Sequence, residues 1–212
     1  ADEWDFNGML ASSFVTGDTT AIQRLQLSSR RYYQRPDAEH LEYDPTATSL
    51  AGLAGQFWLG RVAGSLRGGL GGTFRSPGFE VNDAGFQTSA DLGIIYGNIN
   101  FLRFEPVGPL RAFRMGFNPS ASWDFGGDRL HTQANFWTNF DFLNNWHAGF
   151  WSSRGFEALS NGALRGGPAI VRPGAWRFNG WGNTDSRKPV WLNAWGFWEA
   201  GDEGSGWVRN GG

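Results

Sequence analysis

The chain has 212 residues, no cysteine and a formal net charge of −2. That charge excludes the basic footprint of a nucleic-acid binder, and the missing thiols exclude disulfide scaffolds, cysteine–zinc sites, iron–sulfur clusters and cysteine nucleophiles. An aromatic content of 16% excludes disorder, and no apolar run approaches the ~18 residues of a membrane helix, so any membrane would have to be crossed by strands.

The N-terminus, Ala1-Asp2-Glu3-Trp4, has neither the basic nor the apolar region of a secretory signal, which implies a processed or internal start. A first strand is expected over Trp4–Val15, with Trp4, Phe6, Leu10 and Phe14 on one face and Asp5, Asn7 and Ser13 on the other. Ala21–Ser29 is a weak helical candidate. Leu50–Gly64, Leu70–Ser76 and Thr88–Phe104 follow as strands.

The clearest alternation runs over 113–125. Phe113, Met115, Phe117, Pro119, Ala121, Trp123 and Phe125 alternate with Arg114, Gly116, Asn118, Ser120, Ser122 and Asp124. A two-residue turn at Gly126-Gly127 would set Phe117 against Phe136, Asn118 against Asn135, Ser120 against Gln133, Ser122 against His131 and Trp123 against Leu130. Like then meets like on both faces, and a one-residue slip would destroy the match. Pro119 conflicts with this strand, because it cannot donate to a ladder. A three-residue loop, Leu143-Asn144-Asn145, sets Phe142 against Trp146, Asp141 against His147 and Thr138 against Phe150. Ala175–Asp185 and Val190–Glu199 complete the strands, joined through Ser186-Arg187-Lys188-Pro189.

These elements make an all-β chain: a single unit over 1–212, an antiparallel up-and-down meander of about nine long strands. Strands well past ten residues suit a bilayer better than a soluble domain. Short connections fall at one end (65–69, 105–110, 143–145, 186–189), and the other end collects 16–49, 77–87, 126–127 and 157–174, three of the four long, as in outer-membrane barrels. The expectation is part of a transmembrane outer-membrane β-barrel. Phe113, Met115, Phe117, Phe136, Phe140 and Phe142 would face lipid, and the first and last strands, Trp4–Val15 and Val190–Glu199, would be unpaired edges. An odd strand count, and an end at Trp207–Gly212 that reads as a turn or strand start, imply that further strands close it.

Several ordered phrases carry a resemblance: Ser76-Pro77-Gly78-Phe79-Glu80-Val81-Asn82-Asp83, Trp123-Asp124-Phe125-Gly126-Gly127-Asp128-Arg129-Leu130, Arg165-Gly166-Gly167-Pro168 with Arg172-Pro173, and Asp185-Ser186-Arg187-Lys188-Pro189. Tyr32-Tyr33-Gln34-Arg35-Pro36-Asp37 and Tyr43-Asp44-Pro45-Thr46 belong with them. Together they resemble the C-terminal membrane β-barrel region of large, uncharacterised bacterial outer-membrane proteins that carry an N-terminal module like the family 9 carbohydrate-binding domains. The resemblance implies a barrel region in the bacterial outer membrane and supplies no catalytic residues.

Chemistry-bearing constellations are sparse. His40, His131 and His147 are too scattered for the paired spacing of a zinc site. Asp37, Glu39, Glu42 and Asp44 lack an EF-type loop and read as a solvated loop. Glu80 with Asp83, or Asp124 with Asp128, would have to flank a sugar as a glycosidase pair; Asp124 and Asp128 read better as turn formers. Arg165-Gly166-Gly167-Pro168 lacks a following Walker lysine and reads as a loop setter. No catalytic, cofactor-binding or metal-binding residue is assigned, and no metal-dependent or hydrolytic chemistry is expected. The candidate lumen- or ligand-facing residues are Asn118, Gln133, Asn135, Trp137, Asp141 and His147, with Trp137, Trp181 and Trp191 as candidates for stacking inside the lumen.

The functional expectation is a pore, receptor or translocation role for an external ligand, with glycan among the candidates. The partners would be membrane lipid and either the rest of the chain or another chain. The alternatives are a soluble carbohydrate-binding β-sandwich and, last, a glycan-active enzyme.

Overall fold

A computed structural model describes residues 3–81, 85–204 and 206–211. The chain is all-β with one short helix. Ten strands form one antiparallel meander in chain order: β1 (Trp4–Thr16), β2 (Ser49–Arg61), β3 (Leu66–Arg75), β4 (Leu92–Arg103), β5 (Leu110–Trp123), β6 (Arg129–Phe142), β7 (His147–Gly155), β10 (Ala175–Asn183), β11 (Asn193–Gly201) and β12 (Trp207–Gly211). Two short strands, β8 (Ala158–Ser160) and β9 (Ile170–Arg172), pair apart from it inside the connection 156–174. The main sheet therefore has ten strands, not about nine, and β12, not β11, is its second edge. Among the described residues β1 and β12 do not pair with each other, so the sheet is open.

The β5–β6 register matches the alternation. Phe113 faces Phe140, Phe117 faces Phe136, Asn118 faces Asn135, Ser120 faces Gln133 and Ser122 faces His131. The turn differs. The register shifts between Ser122 and Trp123, so Trp123 faces Arg129, not Leu130. The cause is Asp124: its Oδ1 accepts from Gly126 N and Asp128 N at 3.1 and 2.9 Å, winding 124–128 into a carboxylate-capped loop. Only Gly127 of the glycine pair takes a positive φ, +91°. The β6–β7 hairpin holds throughout: Phe142 N donates to Trp146 O, Asp141 faces His147, and Asn145 turns the corner at φ +64°.

Pro119 keeps its place opposite Ala134 in β6 without a bulge. On its other side the pairing lapses at Gly97 and Asn98 of β4, and resumes in the same register at Tyr96–Ser120 and Ile99–Phe117. The proline costs a missing ladder bond, not a register shift.

Helix α1 (Thr19–Gln26) starts earlier than the pattern suggested, because Asp18 caps it, accepting from Ala21 N at 2.7 Å. Eight residues are too few for a helix to stand alone; Ile22 and Gln26 are fully buried, and Gln26 exchanges hydrogen bonds with the Asp44 backbone. The deeply buried side chains gather here, among the long connections 17–48, 76–91 and 156–174 and the short 124–128 at one end of the sheet. They include Ile22, Gln26, Arg31, Arg35, Phe79, Gln87, Asp91 and Asp124. The other end has only 62–65, 104–109, 143–146 and 184–192.

Candidate functional site: the polar face of the sheet

Side chains alternate across a strand, so the registers assign each residue to a face. One face carries Phe6, Leu10, Phe14, Leu59, Leu70, Ile95, Ile99, Phe117, Phe136 and Phe178. On this face Phe178 stacks with Phe150 and Trp176 and packs at a tilt against Trp198, at centroid distances of 5.3–6.1 Å. The residues expected to face lipid lie on this face.

All six candidate residues lie on the other. Gln133 Nε2 donates to Asn135 Oδ1 at 2.6 Å, and Asn135 Nδ2 to the Asn118 carbonyl at 3.3 Å. Asp141 is held by His147 Nδ1 at 2.7 Å and by Arg114 Nη2 at 3.1 Å. Trp137 lies over its cross-strand partner Gly116, where a Cβ would stand 2.5 Å from the indole nitrogen. His131 and His147 lie toward opposite ends of the strands, opposite Ser122 and Asp141. Trp181 shares this face, but Trp191 does not: β11 begins at Asn193, and Trp191 sits exposed in the connection 184–192.

The structure adds residues the sequence did not single out. Across β6, β7, β10 and β11, Trp137, Trp151, Asn179 and Phe197 form one row, and Asn139, Gly149, Trp181 and Trp195 form the next. Trp151 was within reach, because the β6–β7 register already sets it against Trp137. A similar construction recurs across β2, β3 and β4, where Trp58 and Tyr96 stack at 6.1 Å beside Gly71.

At the long-loop end, buried ion pairs tie the connections together. Arg31 reaches Glu80 at 2.8 Å and donates to the Pro77 and Phe79 carbonyls. Gly52 and Gly78 let 76–79 pack backbone to backbone on β2, where any Cβ would collide. Arg35 lies 3.4 Å from Asp124 and 3.7 Å from Asp91, and His40 Nε2 is 2.9 Å from Asp91. His40, Asp91 and Asp124 bring ligand-type atoms within 4.8 Å of one another. The Arg35 guanidinium already supplies positive charge there, so the group works as an ion network. The acidic residues of 37–44 disperse: Asp37 accepts from Ala169 N, and Asp44 from Thr46, whose hydroxyl and N–H hold its carboxyl below the usual range. Asp124 is a turn cap, buried against Arg35, and Glu80 is buried against Arg31; Asp83 lies outside the described residues. Arg165 and Gly166 take positive φ in a turn, as a loop setter would. Burial raises the Tyr33 hydroxyl above its ordinary pKa.

Residues 9–207 match the family model described as a domain of unknown function, DUF5916. The chain belongs to the DUF5916 family. No curated protein and no solved structure matches it significantly. In this DUF5916 chain the family match spans β2 to β11 whole, together with most of β1 and the long connections, so the polar face and the ion network both lie inside it.

Proposed function

We propose that this DUF5916 chain is a segment of a bacterial outer-membrane β-barrel, with its apolar face against lipid and its polar face lining the interior, acting as a pore, receptor or translocation channel for an external ligand. One observation carries the reading: the apolar face is uncovered. Leu10 and Ile99 are 73 and 60% exposed although they lie well within their strands. Ten strands of 5 to 14 residues, at ~4.8 Å spacing and ~3.3 Å per residue, present on the order of 1,000 Å² or more. The largest apolar patch of a soluble monomer is ~300–600 Å². The opposite face bears Asn, Gln, Ser, Arg and Asp, which suits a wet interior.

The sandwich alternative would need a second sheet packed on this one. Among the described residues the extensive contacts of the strands are with their sheet neighbours and between β6 and short β8. Open edges fit a barrel closed by strands beyond these ten, from the rest of the chain or a partner, because each unpaired backbone group in hydrocarbon costs several kcal/mol.

The test uses the absence of cysteine from these 212 residues, with any cysteine elsewhere in the full natural chain replaced by serine. In vesicles holding the full natural chain, a membrane-impermeant maleimide should label Asn118→Cys and leave Phe117→Cys unlabelled. Fast labelling at Phe117→Cys with none at Asn118→Cys would reverse the assignment, and equal labelling of both would remove it.

A further inference from the structure

The larger of the two aromatic clusters on the polar face spans β6, β7, β10 and β11. Trp137, Asn139, Trp151, Asn179, Trp181 and Phe197 line an open cleft of about 550 Å³, within the ~300–1,000 Å³ of small-molecule sites. These six come from four adjacent strands and two adjacent rows. Glycine builds the cleft. Gly149 stands between Asn139 and Trp181, and the Trp181 ring occupies the space that a Cβ at Gly149 would take. Trp137 is likewise seated over Gly116. The rings therefore lie down on the sheet. Trp137, Trp151, Trp181 and Phe197 are half-buried and keep part of their ring surface open to an interior face, so their concentration in one cleft calls for a ligand.

The charges around the cleft specify that ligand's chemistry. No lining residue is charged. The neighbouring charges are paired among themselves: Arg177 with Glu199 at 2.9 Å toward the long-loop end, and Asp141 with His147 and Arg114 toward the other. An ionic ligand would find no counter-charge in the cleft. Amides flank the rings: Asn139, and Asn179, whose Nδ2 donates to the Gly196 carbonyl and whose Oδ1 can accept. Flat aromatic faces with adjoining amides match a pyranose ring, which offers axial C–H groups on its faces and hydroxyls around its rim.

We infer that this cleft binds a neutral saccharide, stacked on Trp137, Trp151 and Trp181 and oriented by Asn139 and Asn179. The inference rests on the membrane reading, which makes this face an interior. Trp195, next to Trp181 across β10 and β11, would extend the platform toward the following sugar of an oligosaccharide.

The experiment titrates the full natural chain, reconstituted in phosphatidylcholine vesicles, with neutral hexasaccharides of glucose, xylose, mannose and N-acetylglucosamine, and with hexagalacturonate as the charged comparator. Calorimetry and tryptophan quenching give the affinities. At least one neutral saccharide should bind saturably, and hexagalacturonate should not. Trp137→Ala and Trp181→Ala should each weaken binding by about tenfold, the loss of one stacked ring. Trp181→Phe should retain part of it, and Trp191→Ala, in the connection 184–192, should leave it unchanged. Near-ultraviolet circular dichroism checks folding; if Trp181→Ala does not fold, Trp181→Phe and Asn139→Ala decide. No saturable binding by any neutral saccharide, preference for hexagalacturonate, or affinity indifferent to the folded ring variants would overturn the inference. Cysteine labelling on the same vesicles reads the membrane assignment separately: correct labelling without saccharide binding removes only the saccharide site, and binding with inverted labelling removes only the membrane reading.

Discussion

Asp124 shows how much one side chain can organise. One oxygen caps the β5–β6 loop through two backbone N–H groups, and the other faces the buried Arg35 guanidinium. Removing one partner of a buried ion pair leaves an uncompensated charge, at a cost of ~3–5 kcal/mol. Asp124→Ala should therefore destabilise the protein by about 3 kcal/mol or more in urea unfolding. Arg35→Met with Asp124→Ala should cost less than the two single changes together. Additivity of the pair would remove the coupling. Asp185 makes a gentler anchor at the opposite end. Its carboxylate accepts from Arg187 N and from the Arg187 guanidinium at 2.8 Å, which holds its pKa well below the usual range. A depressed carboxylate stabilises the folded state above its unfolded pKa, ~3.9, and that contribution fades as pH falls through the folded value. The Asp185 carboxyl resonance should accordingly titrate below a free aspartate's, and Arg187→Ala should return it upward. Titration at the ordinary value in the unaltered chain would rule out the pairing.

At the scale of elements, the hairpin registers offer the sharpest test. Phe117 and Phe136 are directly opposed, and the chain has no competing thiol. Phe117→Cys with Phe136→Cys should cross-link under mild oxidation, and Phe117→Cys with Asn135→Cys, whose side chains leave opposite faces, should not. Cross-linking of the second pair would mean a slipped register. This part of the fold was legible because strand alternation has period 2, so a wrong register would have set Phe117 against Asn135 and been visible at once. The 124–128 loop was not legible. Asp124 winds it locally through Gly126 N and Asp128 N, but its other oxygen faces Arg35, 89 residues distant, and no local pattern announces that contact. The same holds for His40 beside Asp91. The expected strand Val190–Glu199 includes Trp191, but β11 begins at Asn193, beyond the Thr184–Leu192 hydrogen bonds that close the connection. The six candidate site residues do share one face, yet Asn179 and Phe197 join Trp137 only through the β7–β10 and β10–β11 pairings, across a connection too long to read for register.

The whole molecule divides its burial unusually. Its buried side chains lie chiefly among the loops at one end, and its sheet leaves an apolar face bare. A soluble protein would place its core the other way, beneath the sheet, so the two faces respond oppositely to charge in water and in lipid. Ile99 of β4 is on the apolar face between Gly68 and Phe117, and Asn98 beside it points to the polar face. In lipid, an arginine at mid-depth on the outward face costs ~2–4 kcal/mol and falls toward zero near the rims. Ile99→Arg should therefore lower the stability of the vesicle-folded full chain by that amount in urea titration, and Phe14→Arg, close to the end of β1, by about 1 kcal/mol or less. Asn98→Arg should be tolerated. In water the order reverses: an arginine replacing a 60% exposed isoleucine changes stability by no more than ~0.5 kcal/mol and improves solubility. A neutral Ile99→Arg in vesicles would remove lipid from the apolar face, and with it the membrane as the partner that covers these ten strands.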